Sequence, residues 1–384
     1  MPSPEALIAW LAAPALVTVA LVLSGFWQLS DSPLPPSLRR ELERRRQDLS
    51  RLEAATGVGA QAGPFTRGRA PPDLLGCAAL KDLTGVSLVG SGITKRVLRA
   101  TLPSSGEAIA LKSVYWTGHD VSRCMQRHGH PGGCYRLAAY KLLQEAVLMQ
   151  SLDHPGIVKA CSRYWPRAKE GWRASNANRF DDSAECFINN PGLQGQCYGS
   201  SSTSEMKVVT MLELGTPLVM IHLLQTPWEE RFKICLDLAE LLYYLANSPL
   251  GSLALLDFQT RQFVMVNGSL KVTDLDDVST NELSCQTDND CTLEFPTKRF
   301  FLRCARHGKC EGRNEKKNLF NAYRYFFTYL LPHTAPFALQ PVLKDILNAT
   351  GDLRYGANET LRAFQKVLHL YKSGLYLQKK KLLI

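Results

Sequence analysis

Residues 145–158 read Glu-Ala-Val-Leu-Met-Gln-Ser-Leu-Asp-His-Pro-Gly-Ile-Val. Apolar residues recur at helical period from Leu137 to Leu152, so the first half closes an α-helix. Glu145 is the single acidic residue of that helix. Pro155 and Gly156 stop it and turn the chain into a strand that starts at Ile157.

Upstream, Gly85 to Leu102 alternates apolar and polar residues, as a strand, a turn and a second strand would. Gly90-Ser91-Gly92 falls at the turn, where glycines let backbone approach a phosphate closely, and Val97 follows five residues on. A third strand spans Ala108 to Val114 and places Lys112 after Ile109, Ala110 and Leu111. Downstream, Lys207 to Leu214 reads as a strand and Trp228 to Leu245 as a long amphipathic helix. Phe263–Val266 and Leu270–Val272 flank Asn267-Gly268, the strongest short hairpin signal. Leu256-Asp257-Phe258 precedes that hairpin and Asp274-Leu275-Asp276 follows it. Strands come first and helices mostly after, which predicts an α+β chain with a sheet lobe and a helical lobe.

This order resembles the protein-kinase fold over about residues 80 to 370: a bilobal structure with a small β-rich N-lobe and a larger helical C-lobe. The resemblance implies a role for each residue. Lys112 matches the strand lysine on the α- and β-phosphates of ATP, and Glu145 the helix acid that pairs with it. Asp257 matches the catalytic-loop aspartate and Asp274 the metal-binding aspartate of Asp-Phe-Gly. Gly90, Ser91, Gly92, Val97, Ala110 and Glu213 complete the implied nucleotide site; Gln262 and Asp276 join Asp274 at Mg²⁺ or Mn²⁺.

The departures carry as much information. Lys95 replaces the third glycine of the phosphate loop and could itself reach phosphate. Leu255-Leu256 replaces the His-Arg before the catalytic aspartate, so an activation-loop phosphate would find no arginine there. Leu255 would keep an apolar column with Leu275 and Met149. Gln262 replaces the metal-binding asparagine, and Asp276 the glycine of Asp-Phe-Gly. No Ala-Pro-Glu follows, and a cysteine-rich segment from Cys285 to Cys310 takes its place.

Composition bounds the rest. With 45% apolar and 21% charged residues, the chain is not disordered, collagen-like or a polytopic membrane protein. The net charge of +10 suits either a basic soluble surface or acidic partners. Residues 6 to 30 carry no charge and are nearly all apolar, as a signal peptide or a signal anchor would be. Arg39, Arg40, Arg44, Arg45 and Arg46 argue for a cytoplasmic C-terminal side. Two features oppose them. The cysteines fall in close pairs along the chain: Cys124 with Cys134, Cys186 with Cys197, Cys285 with Cys291, Cys304 with Cys310. Sequons begin at Asn267, Asn348 and Asn358. Together these favour a lumenal or extracellular domain over a cytosolic protein with an anchor. Cys124, His128, His130 and Cys134 could ligate zinc, or the two cysteines could close a disulfide, the expected outcome in an oxidising compartment. Cys235 reads as a free core thiol, and Cys77 with Cys161 as a long-range pair.

The expected division is a signal segment over 1–30, a Pro- and Arg-rich stalk over 31–72 and the kinase-like domain over 73–384, its N-lobe about 73–214 and its C-lobe about 215–384. Leu38, Leu42, Leu49 and Leu52 allow a short helix in the stalk. The departures, the leading apolar run and the cysteines together are similar to the divergent secretory-pathway protein-kinase family, which includes secreted tyrosine kinases. That similarity implies ATP-dependent phosphorylation of tyrosine on secreted or extracellular-matrix proteins, in the Golgi lumen and outside the cell. It implies no nucleic-acid partner, and membrane contact only through an uncleaved N-terminal segment. Two rival expectations are a secreted pseudokinase that serves as a binding module and a secretory kinase acting on Ser/Thr or sugar.

Overall fold

The computed structural model describes residues 34–56, 83–103, 105–159 and 209–374, with the backbone alone of 186–189 and 194–197. The apolar N-terminal run, Cys77, Cys161, the side chains of Cys186 and Cys197 and the Lys379–Lys381 tail lie outside the described residues.

Helix α1 spans Pro36–Thr56. Strands β1 (Thr84–Ser91), β2 (Lys95–Thr101) and β3 (Ala108–Val114) follow, then helices α2 (His119–His128) and α3 (Pro131–Ser151). A short ribbon pairs β4 (Cys186–Asn189) with β5 (Gln194–Cys197), Cys186 facing Cys197 in register. Strand β6 (Val209–Glu213) closes a four-stranded antiparallel sheet of order β1-β2-β3-β6. The C-terminal part continues with β7 (Thr216–Pro217), α4 (Met220–Gln225), α5 (Trp228–Ala246), β8 (Ala254–Leu255), β9 (Phe263–Val266), β10 (Ser269–Val272) and β11 (Val278–Ser279). A hairpin of β12 (Thr292–Phe295) and β13 (Lys298–Phe301) precedes α6 (Arg313–Ala322), α7 (Gln340–Gly351) and α8 (Ala357–Lys372). The expected sheet-rich first lobe and helical second lobe are both present.

Local chemistry explains the boundaries. Asn267 and Gly268 both take positive φ, 50° and 74°, the paired left-handed conformation that joins β9 to β10 in a tight hairpin. Helix α2 ends on Gly129 at φ 63°, which a side chain would strain. Helix α3 starts with Pro131 at its first turn, and His130 Nδ1 accepts from the Gly133 N–H at 2.9 Å. The aromatic run from Tyr323 forms a π-helical turn over Tyr323–Phe327 with Phe326 and Phe327 fully buried.

The large core gathers α5, β9, β10, α6, α7 and α8 around Leu238, Leu245, Phe263, Phe326 and Phe364. Arg231 is buried within this lobe and donates to the carbonyls of Leu330 and His333 and to Thr334 Oγ1. Met149, Leu255 and Leu275, expected as an apolar column, are all buried in the same core.

A second cluster lies behind α3. Leu38 and Leu42 of α1 pack with Val121, Cys124, Cys134, Tyr135 and Leu142. Part of the expected stalk is therefore a helix laid along α3, with Leu38 0% exposed. Gly133 makes room for it: a Cβ there would meet Leu38 Cδ2 at 2.6 Å. The Cys124–Cys134 disulfide closes the cluster, so those cysteines are no zinc ligands. His128 and His130 instead engage Ser37 Oγ and the α3 N-terminus.

Candidate active site

Three elements converge on one buried carboxylate. Glu145 lies on α3 and is 1% exposed. Its Oε1 accepts from Lys112 Nζ at 2.6 Å, and its Oε2 from Lys95 Nζ at 2.8 Å. Lys112 also donates to the Thr273 carbonyl at 2.9 Å and lies 3.4 Å from Asp274 Oδ1. Lys95 reaches Asp274 Oδ1 and Asp276 Oδ2, each at 2.8 Å. The Leu275 N–H donates to Glu145 Oε1 at 3.3 Å, which ties the Asp274-Leu275-Asp276 turn to α3.

Burial governs the charges here. It pushes the Glu145 carboxyl up, and the two lysines oppose it. Burial would also raise Asp274, but the Lys112 and Lys95 ammoniums outweigh it and hold that carboxyl well below the usual range. Asp276 goes the other way: burial raises it, and Asp274 adds to the shift. For Lys95, burial would lower the ammonium, and Glu145, Asp274 and Asp276 together drive it up.

Asp257 occupies a second, more open group. Gln259 Nε2 donates to Asp257 Oδ1 at 2.6 Å, Gln262 Nε2 to Oδ2 at 2.6 Å and Arg261 to Oδ2 at 3.2 Å. The amide nitrogen of Gln262 faces Asp257, so its side-chain oxygen is turned away from that carboxylate. The Thr273 N–H donates to the Gln262 backbone carbonyl at 2.8 Å and joins the two groups. Leu256, in place of the family's arginine, is 42% exposed.

The expected phosphate loop turns through Gly92, whose N–H donates to the Lys95 carbonyl at 2.7 Å and whose carbonyl accepts from Tyr115 Oη at 2.8 Å. Gly90 and Ser91 pair with Val97 and Arg96 across the turn. Strand β1 is exposed along its length, and two register irregularities break the expected alternation. Val97 lies opposite Lys112 and packs on the interlobe core, where Ala110 is buried. Glu213 stands apart: its Oε1 accepts from Lys271 Nζ and the Lys159 N–H, each at 2.6 Å, so its side chain braces the hinge between lobes. Of the three sequon asparagines, Asn267 is exposed at the β9–β10 turn, Asn348 is exposed on α7 and Asn358 is half-buried on α8.

The cysteine-rich segment corrects one expectation. Neighbours in sequence are not partners: Cys285 bonds Cys304 and Cys291 bonds Cys310. In the β12–β13 hairpin Cys291 lies beside Leu302, and Cys304 and Cys310 face each other across an antiparallel bridge, so the two bonds cross instead of following sequence order. Cys235 is the free, buried thiol expected of it.

Sequence reasoning missed the support beneath Asp257. Asn318 of α6 accepts from the Leu255 N–H at 2.9 Å and donates to the Leu253 carbonyl at 2.8 Å, while Asn314 donates to the Ser252 carbonyl. Two asparagines four residues apart beside Leu319 and Phe320 were the available signal, since buried amides need partners.

The residues present fit a nucleotide with a divalent cation. Asp274, Asp276 and Gln262 offer hard oxygen donors, and Lys112 a neighbouring ammonium. No helix among the described residues is long and apolar enough to cross a membrane. Residues 180–350 match the protein-kinase domain of FAM69. The chain is 49% identical over 316 residues to the human protein named Extracellular tyrosine-protein kinase PKDCC, an alignment covering 82% of this chain and 57% of that relative. The chain thus spans little more than half the length of the relative it matches.

Proposed function

We propose that this chain, a member of the lonesome-kinase family by the similarity just given, transfers the γ-phosphoryl group of ATP to tyrosine on secretory-pathway and extracellular proteins. The observation that carries the reading is the buried Lys112–Glu145 pair at 2.6 Å with Asp274 beside it, since protein kinases need that pair and the metal aspartate in place together.

Phosphoryl transfer asks for alignment and charge neutralisation more than covalent catalysis. Lys112 holds the α- and β-phosphates, and Glu145 fixes Lys112 from behind. Asp274, Asp276 and the Gln262 oxygen would hold Mg²⁺ or Mn²⁺, which supplies the charge opposite the β- and γ-phosphates when bound. Asp257 accepts the proton of the attacking hydroxyl, and Gln259, Arg261 and Gln262 orient its carboxylate. Gly90, Ser91 and Gly92 cover the phosphates, Val97 and Ala110 roof the base, and the backbone near Glu213 receives its edge. Gln259 and Arg261, two and four residues after Asp257, support tyrosine over serine as acceptor. Disulfides, sequons and the relative's name support a lumenal or extracellular site of action, with Asn267, Asn348 and Asn358 as glycan acceptors. Acidic secreted proteins suit the basic surface.

A second reading, a pseudokinase that binds partners, draws on the three donors that occupy Asp257. Incubation with labelled ATP, Mg²⁺ or Mn²⁺ and mixed secreted proteins separates the two. Phosphotyrosine should form and fall about a thousandfold in Asp257→Asn. Phosphoserine or labelled sugar would move the acceptor class; no transfer above the Asp257→Asn and Asp274→Ala controls would favour the binding module.

A further inference from the structure

Two departures from the protein-kinase pattern lie far apart in sequence, Lys95 in the expected phosphate loop and Asp276 after the expected metal aspartate. In space they are one feature. Lys95 Nζ sits 2.8 Å from Asp276 Oδ2, and its side chain is 6% exposed. Lys95 pairs with Val114 and Lys112 with Val97, so the two lysines leave neighbouring strands on the same face of the sheet. Glu145 serves both, one carboxylate oxygen to each ammonium.

The charges match as a pair. Adding Lys95 and Asp276 together leaves the net charge of the Lys112, Glu145 and Asp274 group unchanged. Either one alone would leave a buried ion without its counterpart, which is expensive at this depth. Lys95 also rests on both carboxylates suited to a divalent cation, Asp274 and Asp276. An ammonium there competes with such a cation for the same oxygens.

We propose that Lys95 is a second phosphate-binding lysine, matched to Asp276; this rests on the kinase reading above. Lys95 yields Asp274 and Asp276 to the divalent cation, keeps Glu145, and turns its ammonium to a phosphate oxygen of the nucleotide. The chain then brings two lysines to the phosphates, one from β2 and one from β3, under a single glutamate. Lost glycine flexibility in the loop is offset by a fixed charge at its base.

Two experiments on the full chain test this. First, an adenosine nucleotide analogue carrying a sulfonyl fluoride in place of the terminal phosphates is incubated with the unaltered protein, and labelled lysines are mapped by mass spectrometry. Label on both Lys95 and Lys112, suppressed by excess ATP, is expected. Label on Lys112 alone overturns the role of Lys95 and leaves the kinase reading standing. Label on neither overturns the nucleotide site itself. Second, Lys95→Met keeps the apolar stem and removes the charge. It should bind Mn²⁺ more tightly without nucleotide, read by the electron paramagnetic resonance of the free ion. It should also bind a fluorescent ATP analogue with Mn²⁺ about tenfold more weakly, since a charge-assisted hydrogen bond is lost. Lys95→Arg should restore both values. Unchanged affinities, or parallel losses of both, would overturn the proposal.

Discussion

Two regions of the molecule are ordered by different chemistry. In one, the segment from Cys285 to Cys310 is held by two disulfides and a short hairpin. In the other, the turn between β1 and β2 is held by ions: Lys95 on three carboxylates, and Asp120 accepting from Thr94 and Lys141 at 2.6 Å each. Protein kinases commonly order the first region by phosphorylating it against an arginine. Here the arginine position is Leu256, and two disulfides cross-link the segment instead. The difference teaches where control can enter. A covalently held region does not respond to charge, whereas an ion-held region responds to any cation or anion that enters it.

The largest effect should come from breaking the covalent side. Replacing Cys291 and Cys310 together by serine removes a cross-link whose cysteines are buried and should cost about 3 kcal/mol in denaturant unfolding. If the region is preordered only by this chemistry, phosphotransfer falls with it; if transfer persists at full rate in the folded variant, the contrast between regions is lost. Next comes the brace behind α3. Leu38→Ala empties a fully buried site and should cost about 2–3 kcal/mol, read by thermal unfolding. The same variant should weaken nucleotide binding, because α1 steadies the helix that carries Glu145. A stability loss with unchanged nucleotide affinity would confine α1 to a structural role. The smallest effect sharpens the ionic side. Burial would raise Asp120, but hydrogen bonds from Lys141 and Thr94 outweigh it and lower its pKa below the ordinary 3.8. A lowered carboxyl adds stability above its unfolded value and loses it as pH falls through the folded one. Asp120→Asn should therefore lower stability near neutral pH by about 1 kcal/mol and leave less acid dependence below pH 4, by unfolding curves across pH.

The parts of this molecule that could be read in advance share one property: residue type and order suffice. Lys112, Glu145, Asp257 and Asp274 are spaced by strands, a helix and a hairpin that the pattern announces, and the structure brings Lys112, Glu145 and Asp274 together. Asn267-Gly268 specified its own turn. The missed parts depend on what is near in space. Lys95 reads as a loop residue until β2 aims it under the sheet. The arginines around Leu38 and Leu42 mask an apolar seam narrow enough to pass for a stalk. Asn318 owes its role to backbone groups of Leu253 and Leu255, which no side-chain pattern reveals. Any fragment used to study the kinase region should accordingly begin before Leu34, which packs with Leu38 on Gly133.

The interleaving of Cys285–Cys304 with Cys291–Cys310 has a consequence for how the chain matures. Four cysteines allow three pairings. Sequence neighbours would close far shorter rings than the native ones, each of which joins residues 19 apart, and short rings lose less chain entropy on closing. Random oxidation therefore favours the wrong isomer. The native one wins only if β12 and β13 have paired when the bonds set, or if exchange with another thiol keeps erasing mistakes. The finished linkage is a knot that records its own history: it certifies that this region found its shape before its bonds became permanent.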